Sequence, residues 1–109
     1  MLGRLTPVGG GSPVILLKKT VTLGRDPAND HVIACGSVSG KHCALELIDG
    51  YWWMRDLGSR NGTSVNNVRC QTSKILPGGV LRMASQRFRL DYKEPRISAD
   101  EEVAMSLLM

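Results

Sequence analysis

The pair Asp49-Gly50 separates two runs that alternate between apolar and polar residues, and this feature restricts the fold more than any other. The first run, "CALELI", occupies residues 43–48, and the second, "YWWMRD", occupies residues 51–56. An Asp-Gly pair between two strands of period two is a strong signal for a two-residue β-hairpin. Cys43, Leu45 and Leu47 share one face of the first predicted strand. Trp52 and Met54 share one face of the second and Trp53 lies on the other, so one of the two tryptophans is expected in the core.

Short apolar runs bounded by turn residues recur along the rest of the chain. Residues 14–23, "VILLKKTVTL", predict one or two strands, and residues 80–83 and 86–92 predict a last hairpin that turns at Ala84-Ser85. In that hairpin Phe88 and Leu90 are predicted to face inward. Close spacing of short strands favours an all-β domain, and antiparallel strands with one solvated face usually pack as two sheets. The predicted fold is therefore a β-sandwich of two antiparallel sheets.

Length and composition agree with a single domain that has one packed core. The chain has 109 residues, of which 42% are hydrophobic, and it contains no apolar run long enough to cross a bilayer. Its first residues, "MLGRLTPVGGGSP", lack the apolar segment of a secretory signal. Three cysteines without CxxC spacing indicate free thiols rather than a disulfide framework or a zinc site. We expect a cytoplasmic protein without metal or cofactor, in which Cys43 is a small core residue.

Three segments are predicted from changes in composition. Residues 1–13 contain "GGGSP" and are predicted to be a flexible lead-in, residues 14–93 form the domain, and residues 94–109 are an acidic tail. Ser98 and Glu101 have capping-box spacing in front of Val103, Leu107 and Leu108, which predicts a short helix. Three roles fit this helix: docking on the sandwich, pairing with a second copy in a homodimer, or starting a linker.

Charge divides the chain into a basic body and an acidic tail. Residues 1–93 contain 13 Lys and Arg against 6 Asp and Glu, a net charge of +7, whereas residues 94–109 carry a net charge of −3. A basic body is typical of proteins with an anionic partner, such as nucleic acid, a membrane surface or a phosphorylated ligand.

Three polar segments lie between the predicted strands: "GRDPAND" at residues 24–30, "GSVSGKH" at 36–42 and "DLGSRNGTSVNN" at 56–67. With a short strand at residues 31–35, all three segments could meet at one end of the sandwich. That end, here called the apex, would collect charged donors, one hydroxyl and one amide: Arg25, Ser39, Lys41, Arg60 and Asn61. This set suits a tetrahedral dianion attached to a peptide, and it contains no acid–base pair for catalysis.

The order and spacing of these segments resemble the forkhead-associated (FHA) domain. The family's pattern is matched by "GR" at residues 24–25, "SGKH" at 39–42 and "DLGSRNGTSVN" at 56–66, and "LPGG" at 76–79 resembles its turn at that place. The likeness covers roughly residues 14–92. It implies a β-sandwich that binds phosphothreonine peptides through loops at one end, as a non-catalytic signalling module.

The resemblance also implies roles for individual residues. Arg25 and Ser39 would bind the phosphate, and Asn61 would hold the main chain of the ligand. Gly40 stands where the family often has a basic residue, so Lys41 and Arg60 are the cations available to replace it. Phosphothreonine carries about −1.5 to −2 charges at neutral pH, which arginine's planar fork matches. The expected supporting residues are Gly24, His42, Gly62 and Asn66.

The expected partner is a threonine-phosphorylated protein of a Ser/Thr-kinase pathway, and no membrane partner is expected. Two other functions fit the same sequence. The basic body together with Trp52 and Trp53 could bind nucleic acid, which we consider the weaker interpretation. The fold could also contact protein surfaces without phosphate, an alternative that Gly40 supports. An enzymatic function is supported only by isolated His and Ser residues.

Overall fold

This computed structural model describes residues 1–95, which contain eleven short strands joined by loops. The strands are β1 (Gly3–Pro7), β2 (Val14–Leu16), β3 (Thr20–Gly24), β4 (His31–Val32), β5 (Cys43–Ile48), β6 (Tyr51–Asp56), β7 (Thr63–Val65), β8 (Val68–Arg69), β9 (Thr72–Ile75), β10 (Val80–Met83) and β11 (Gln86–Asp91).

The strands form two sheets, which confirms the predicted all-β sandwich. One sheet has six strands in the order β2-β1-β11-β10-β7-β8, and the other has five in the order β4-β3-β5-β6-β9. All pairs are antiparallel except β3 with β4, where Leu23 lies opposite His31 in a parallel pair. β4 is thus a short parallel strand at the edge of an otherwise antiparallel sheet, because the loop after β3 carries the chain back to run alongside it.

The predicted hairpins form as expected. Asp49 and Gly50 both have positive φ, 52° and 82°, which is the backbone of a type I′ turn between β5 and β6. Ala84 and Ser85 connect β10 to β11, with Ala84 at φ 55°. These two turns set which residues of each hairpin face the core.

The core lies between the sheets and takes alternate residues from both. Cys43 and Leu45 of β5 and Trp52 and Met54 of β6 are fully buried, and Leu47 packs against the core at its margin. Trp52 is therefore the core residue of the tryptophan pair. The indole N–H of Trp52 donates to the carbonyl oxygen of Leu2 at 3.1 Å, so its polar group is satisfied. The other large residues with no exposed surface are Leu5, Leu16, Leu23, Ile75, Leu81, Met83 and Leu90.

The prediction that residues 1–13 are a flexible lead-in is wrong for the first strand. β1 lies inside the six-stranded sheet, where Leu5 pairs with Leu90 of β11 on one side and with Val14 of β2 on the other. The stretch from Val8 to Pro13 connects β1 to β2 outside the sheet. The domain therefore begins near residue 3 rather than at residue 14.

The last described residues remain attached to the sandwich. Tyr92 donates through its hydroxyl to the carbonyl oxygen of Ile75 at 2.5 Å, and Tyr51 donates to Glu94 at 3.2 Å. Pro95 packs against the backbone of Gly50. The predicted helix with Ser98, Glu101 and the apolar residues behind them lies outside the described residues. Within residues 1–95, no helix is long and apolar enough to cross a membrane.

Replacing Leu5 by Ala should lower the free energy of unfolding by about 2–5 kcal/mol, because the truncation leaves a cavity in a fully packed position. Val8→Ala is the matched control: Val8 is 53% exposed, so its loss should change stability by no more than about 0.5 kcal/mol. Chemical denaturation measures both. Equal stability of Leu5→Ala and wild type would show that β1 does not contribute to the core.

Candidate functional site

Three loops meet at one end of the sandwich, as the sequence predicted. They connect β3 to β4, β4 to β5 and β6 to β7. The backbone N–H of Arg25 donates to the carbonyl oxygen of Ser39 at 3.0 Å, which joins the first loop to the second. The backbone N–H of Arg60 donates to Oγ of Ser39 at 2.9 Å, which joins the third loop to the second. Ser39 is therefore the common contact of all three loops.

Gly24 is required by a close approach of two backbones. A Cβ at this position would overlap the carbonyl oxygen of Gly40 and would lie 2.8 Å from Nδ2 of Asn29. The same carbonyl accepts hydrogen bonds from Nδ2 of Asn29 at 2.6 Å and from the backbone N–H of Asp26 at 3.1 Å. Glycine at residue 24 thus lets the first and second loops bond directly.

His42 fixes the second loop to the third. Its imidazole is fully buried at the start of β5, where Nδ1 accepts from the backbone N–H of Ser39 at 3.0 Å. Nε2 lies 2.8 Å from the carbonyl oxygen of Gly62. Because Nδ1 is an acceptor, the neutral ring must carry its proton on Nε2 and donate it to Gly62. Both ring nitrogens are engaged within the scaffold.

Gly62 presents this carbonyl from a backbone with φ of 80°, a conformation that favours glycine. A Cβ here would also overlap the guanidinium of Arg69, which packs against the loop. Gly24, His42 and Gly62 therefore all lie at the contacts between the site loops.

Asp56 holds the turn of the third loop. Its Oδ1 accepts from the backbone N–H groups of Gly58 and Ser59 at 2.9 Å each, and its Oδ2 accepts from the hydroxyls of Ser59 at 2.5 Å and Thr63 at 2.6 Å. Partial burial acts to raise the pKa of Asp56, but the hydrogen bonds from Ser59 and Thr63 outweigh it, so the pKa lies below its usual value. The ionised carboxylate is the form that this turn requires.

A shallow groove of about 310 Å³ runs between the tips of the three loops. Four of the five predicted binding residues line it, and Lys41, whose side chain is exposed, does not. No acidic side chain is among the residues that the structure places along the groove: Arg25, Gly36, Ser37, Val38, Ser39, Gly40, Arg60 and Asn61.

The polar groups of the groove are held in place but keep hydrogen-bonding capacity for a ligand. Oγ of Ser39 accepts from Arg60, so the hydroxyl proton is available to be donated elsewhere. Nδ2 of Asn61 donates to the carbonyl oxygen of Ser37 at 2.7 Å, which orients the amide while Oδ1 can accept. Among the described residues, neither Arg25 nor Arg60 forms an ion pair. The groove therefore offers two guanidinium groups, one hydroxyl and one amide.

Asn66 does not support the apex, contrary to the prediction. It lies at the far end of β7 from Thr63, in the turn to β8 with φ of 49°. Its Oδ1 accepts from the backbone N–H of Val80 at 2.8 Å, and its own N–H donates to the carbonyl oxygen of Val80 at 2.9 Å. Asn66 therefore fastens the β7–β8 turn to the start of β10.

Sequence reasoning missed two supporting residues, Asn29 and Asp56. Asn29 is buried and bonds to the carbonyl oxygens of Asp26 and Gly40, but an Asn in "GRDPAND" is also an ordinary turn residue. Asp56 gave a clearer signal, because Ser59 and Thr63 follow it at distances that a carboxylate in a turn can reach. Part of the polar character of the β6–β7 loop therefore serves hydrogen bonds within the loop rather than contacts to a ligand.

Two residues near the site loops, Cys43 and His42, are committed to the scaffold. Burial raises the pKa of the Cys43 thiol, which keeps it protonated, and both nitrogens of His42 are occupied. Across residues 1–95, no group of three or more His, Cys, Asp or Glu side chains is placed to hold a metal ion.

Gly24→Ala should lower the free energy of unfolding by about 1–3 kcal/mol, since the added methyl forces apart the first and second loops. Gly36→Ala is the control from the same groove, because a Cβ at Gly36 meets nothing within 4 Å. Thermal denaturation of the two variants tests the close approach. Similar melting temperatures for both would contradict it.

Asp56→Asn should lower stability at pH 7 and lose this effect in acid. The depressed pKa of Asp56 stabilises the folded state above the ordinary carboxyl pKa of about 3.9, and this contribution disappears as pH falls through the lower folded value. The difference in stability between wild type and Asp56→Asn should therefore shrink from pH 5 towards pH 2. A difference that stays constant over that range would contradict the role of the charge.

Comparison with known proteins agrees with this architecture. The family model described as "FHA domain" matches residues 21–84. The oxoglutarate dehydrogenase inhibitor of Corynebacterium diphtheriae is 31% identical over 84 residues, which cover 77% of this chain and 57% of the relative. The FHA domain-containing protein FhaB of Mycobacterium tuberculosis is 29% identical over 69 residues, covering 63% of this chain and 44% of the relative. The chain thus spans about half the length of these curated relatives.

Solved structures share the fold. The N-terminal FHA domain of Rad53p from S. cerevisiae, in complex with a phosphothreonine peptide, superposes with a TM-score of 0.77 at 19% identity, over 85% of this chain and 94% of that one. Together with the match over residues 21–84, the joined loops and the two-sheet sandwich show that this chain belongs to the FHA domain family.

Proposed function

We propose that this chain is a phosphothreonine-peptide-binding module that reads phosphorylation by Ser/Thr kinases. The observation that carries the proposal is the groove in which Arg25, Ser39, Arg60 and Asn61 come together on loops that are bonded to one another. The Rad53p domain, which binds a phosphothreonine peptide, has the same fold.

Charge supports a phosphorylated ligand. Arg25 and Arg60 place two positive charges on a groove whose described lining residues include no carboxylate. A phosphothreonine dianion brings three acceptor oxygens, and a guanidinium can donate two parallel hydrogen bonds to such a group. The hydroxyl of Ser39 would supply a further donor between them.

The amide of Asn61 supports a peptide ligand rather than an isolated phosphate. Because Nδ2 is anchored on Ser37, Oδ1 is held in one orientation and can accept from a backbone N–H of the ligand. We infer that Asn61 fixes the direction of the peptide while Arg25 and Ser39 bind its phosphate. Little ordering of the protein would then accompany binding, since His42, Asn29 and Gly24 already hold the loops together.

We infer a regulatory rather than catalytic role. The groove lacks a general base, and one relative is named as an inhibitor of oxoglutarate dehydrogenase. The threonine-phosphorylated partner would belong to a Ser/Thr-kinase pathway.

Arg25→Ala should weaken phosphothreonine-peptide binding by about 1.5–3 kcal/mol, the usual contribution of a charge-assisted hydrogen bond, without changing the melting temperature. Asn61→Ala should also weaken binding, and its effect should persist at high salt because it removes a contact to the neutral main chain. Titration calorimetry with matched phosphothreonine, phosphoserine and unphosphorylated peptides measures both affinity and selectivity. Equal binding of the three peptides to wild type would overturn the proposed function.

Gly40→Arg should tighten phosphopeptide binding by about 0.5–1.5 kcal/mol, after allowance for solvent screening and side-chain entropy. Gly40 lines the groove, and a Cβ there would meet only Cβ of Asp26, at 3.8 Å, so the backbone at this position leaves room for a side chain to start. The gain should shrink as salt rises.

Gly40→Gln is the uncharged control and should gain little. If Arg60 already neutralises the phosphate, Arg60→Ala should cost nearly as much as Arg25→Ala and Gly40→Arg should add little. No gain from Gly40→Arg together with no loss from Arg60→Ala would contradict the proposed neutralisation.

A further inference from the structure

Three arginines, two of them separated by a serine, lie in one row across the outer face of the six-stranded sheet. Arg87 of β11 lies directly opposite Arg82 of β10, Arg82 lies opposite Ser64 of β7, and Ser64 lies opposite Arg69 of β8. Buried residues lie next to Ser64, Arg82 and Arg87 along their strands, so these three side chains point outward. Arg69 is exposed on the edge strand β8 and lies opposite Ser64, which puts it on the same face. The residues Arg69, Ser64, Arg82 and Arg87 are called the arginine row below.

The row is electrostatically unfavourable for the isolated domain. Like charges directly opposite each other on neighbouring strands destabilise a sheet. None of the three ion pairs among the described residues involves the row. Asp91 is the only acidic residue within the six strands of this sheet, and it pairs with Arg89 at 2.9 Å. An anionic partner would relieve this repulsion.

The row runs beside the groove. Its Arg69 end packs against Gly62, the residue after the groove residue Asn61. At the other end, Nε2 of Gln86 contacts Sγ of Cys35 at 3.5 Å, which sets the start of β11 next to the loop that continues into the groove at Gly36. A chain that leaves the groove can therefore pass directly onto the outer face of this sheet.

We propose that the arginine row binds an acidic segment of the same protein whose phosphothreonine occupies the groove. This proposal rests on the proposed function and adds a second contact to it. A tethered second contact raises affinity through effective concentration, without any change in the first contact. Ligands with Asp and Glu near the phosphothreonine would be selected over neutral ones.

The dimensions suit a short acidic segment. Three strand-to-strand steps of about 4.8 Å make the row about 14 Å long. An extended peptide advances about 3.3 Å per residue, so four or five residues span the row. A six-residue tract of Asp and Glu, joined to the phosphothreonine by a spacer of about three residues, would reach all three guanidinium groups.

An acidic polypeptide fits this surface better than single-stranded nucleic acid. Nucleic-acid sites of that kind combine cations with aromatic side chains on which bases stack. Here the outward aromatic residues lie on β6 of the other sheet, where Lys74 covers the rings of Tyr51 and Trp53 at 4.5 and 5.4 Å from their centroids. The arginine row and these aromatic rings are thus on opposite outer faces of the sandwich.

The test compares three phosphothreonine peptides that share one core sequence. One is unextended, one carries the six-residue acidic tract, and one carries Gln and Asn in place of the acids; the extended peptides are made with the tract at either end. Fluorescence anisotropy is read at 50 mM and 500 mM salt with wild type and Arg82→Gln/Arg87→Gln. Lys19→Gln/Lys74→Gln makes the same change in net charge beside the five-stranded sheet, away from the row, and serves as the control.

We expect the acidic tract at one end to tighten binding to wild type by about 3- to 30-fold at low salt. This gain should disappear at high salt and in Arg82→Gln/Arg87→Gln, but not in the control variant. The row variant should bind the unextended peptide like wild type and melt no lower than wild type. The proposal is overturned by the absence of a gain at either end, or by a gain that survives in the row variant.

Two further outcomes separate this proposal from the proposed function. Failure of the unextended phosphothreonine peptide to bind would overturn the proposed function. An unphosphorylated version of the acidic peptide is then the remaining probe. If it binds wild type but not the row variant, the row is still supported as an acidic-peptide surface. A single-stranded oligonucleotide that binds the row more tightly than the acidic peptide would overturn the choice of partner.

Discussion

A single buried imidazole holds the binding end of this domain together. His42 accepts a backbone N–H of Ser39 with one nitrogen and donates to the carbonyl oxygen of Gly62 with the other, so one ring ties two loops at a fixed separation. The bond from Ser39 to Nδ1 determines which tautomer is present. The position of Ser39, and through it of Arg25 and Arg60, depends on this ring.

Some polar side chains of the loops bond within the scaffold, and others face the groove. Asp56, Asn29 and His42 direct their hydrogen bonds into the scaffold, where they satisfy backbone groups that a loop would otherwise leave exposed. Arg25, Ser39 and Asn61 keep donors and acceptors on the outside. A site built this way is held in shape before a ligand arrives, which suits the proposed binding of a phosphopeptide.

Local patterns predicted the parts of the fold that depend on neighbours in sequence. The Asp49-Gly50 turn and the alternation around it predicted the β5–β6 hairpin, but they did not decide which of Trp52 and Trp53 is buried. β1 could not be found in this way, because "GRLTP" has only Leu5 as a large apolar residue and is stabilised by pairing with β11 at the other end of the chain. Asn66 was misplaced for a similar reason: its partner, Val80, is fixed by the arrangement of β7 and β10 and not by the motif.

The proposed function requires a phosphothreonine peptide to contact the domain at its three joined loops. Amide chemical shifts, followed by NMR during titration with such a peptide, report this for each residue. We predict that the large shifts fall on the three loops at Arg25, Ser39, Gly40, Arg60 and Asn61, while the β7–β8 turn at Asn66 stays unchanged. Two results would contradict phosphopeptide binding at the three loops. One is shifts confined to the outer face around Trp53, and the other is the same set of shifts with the unphosphorylated peptide.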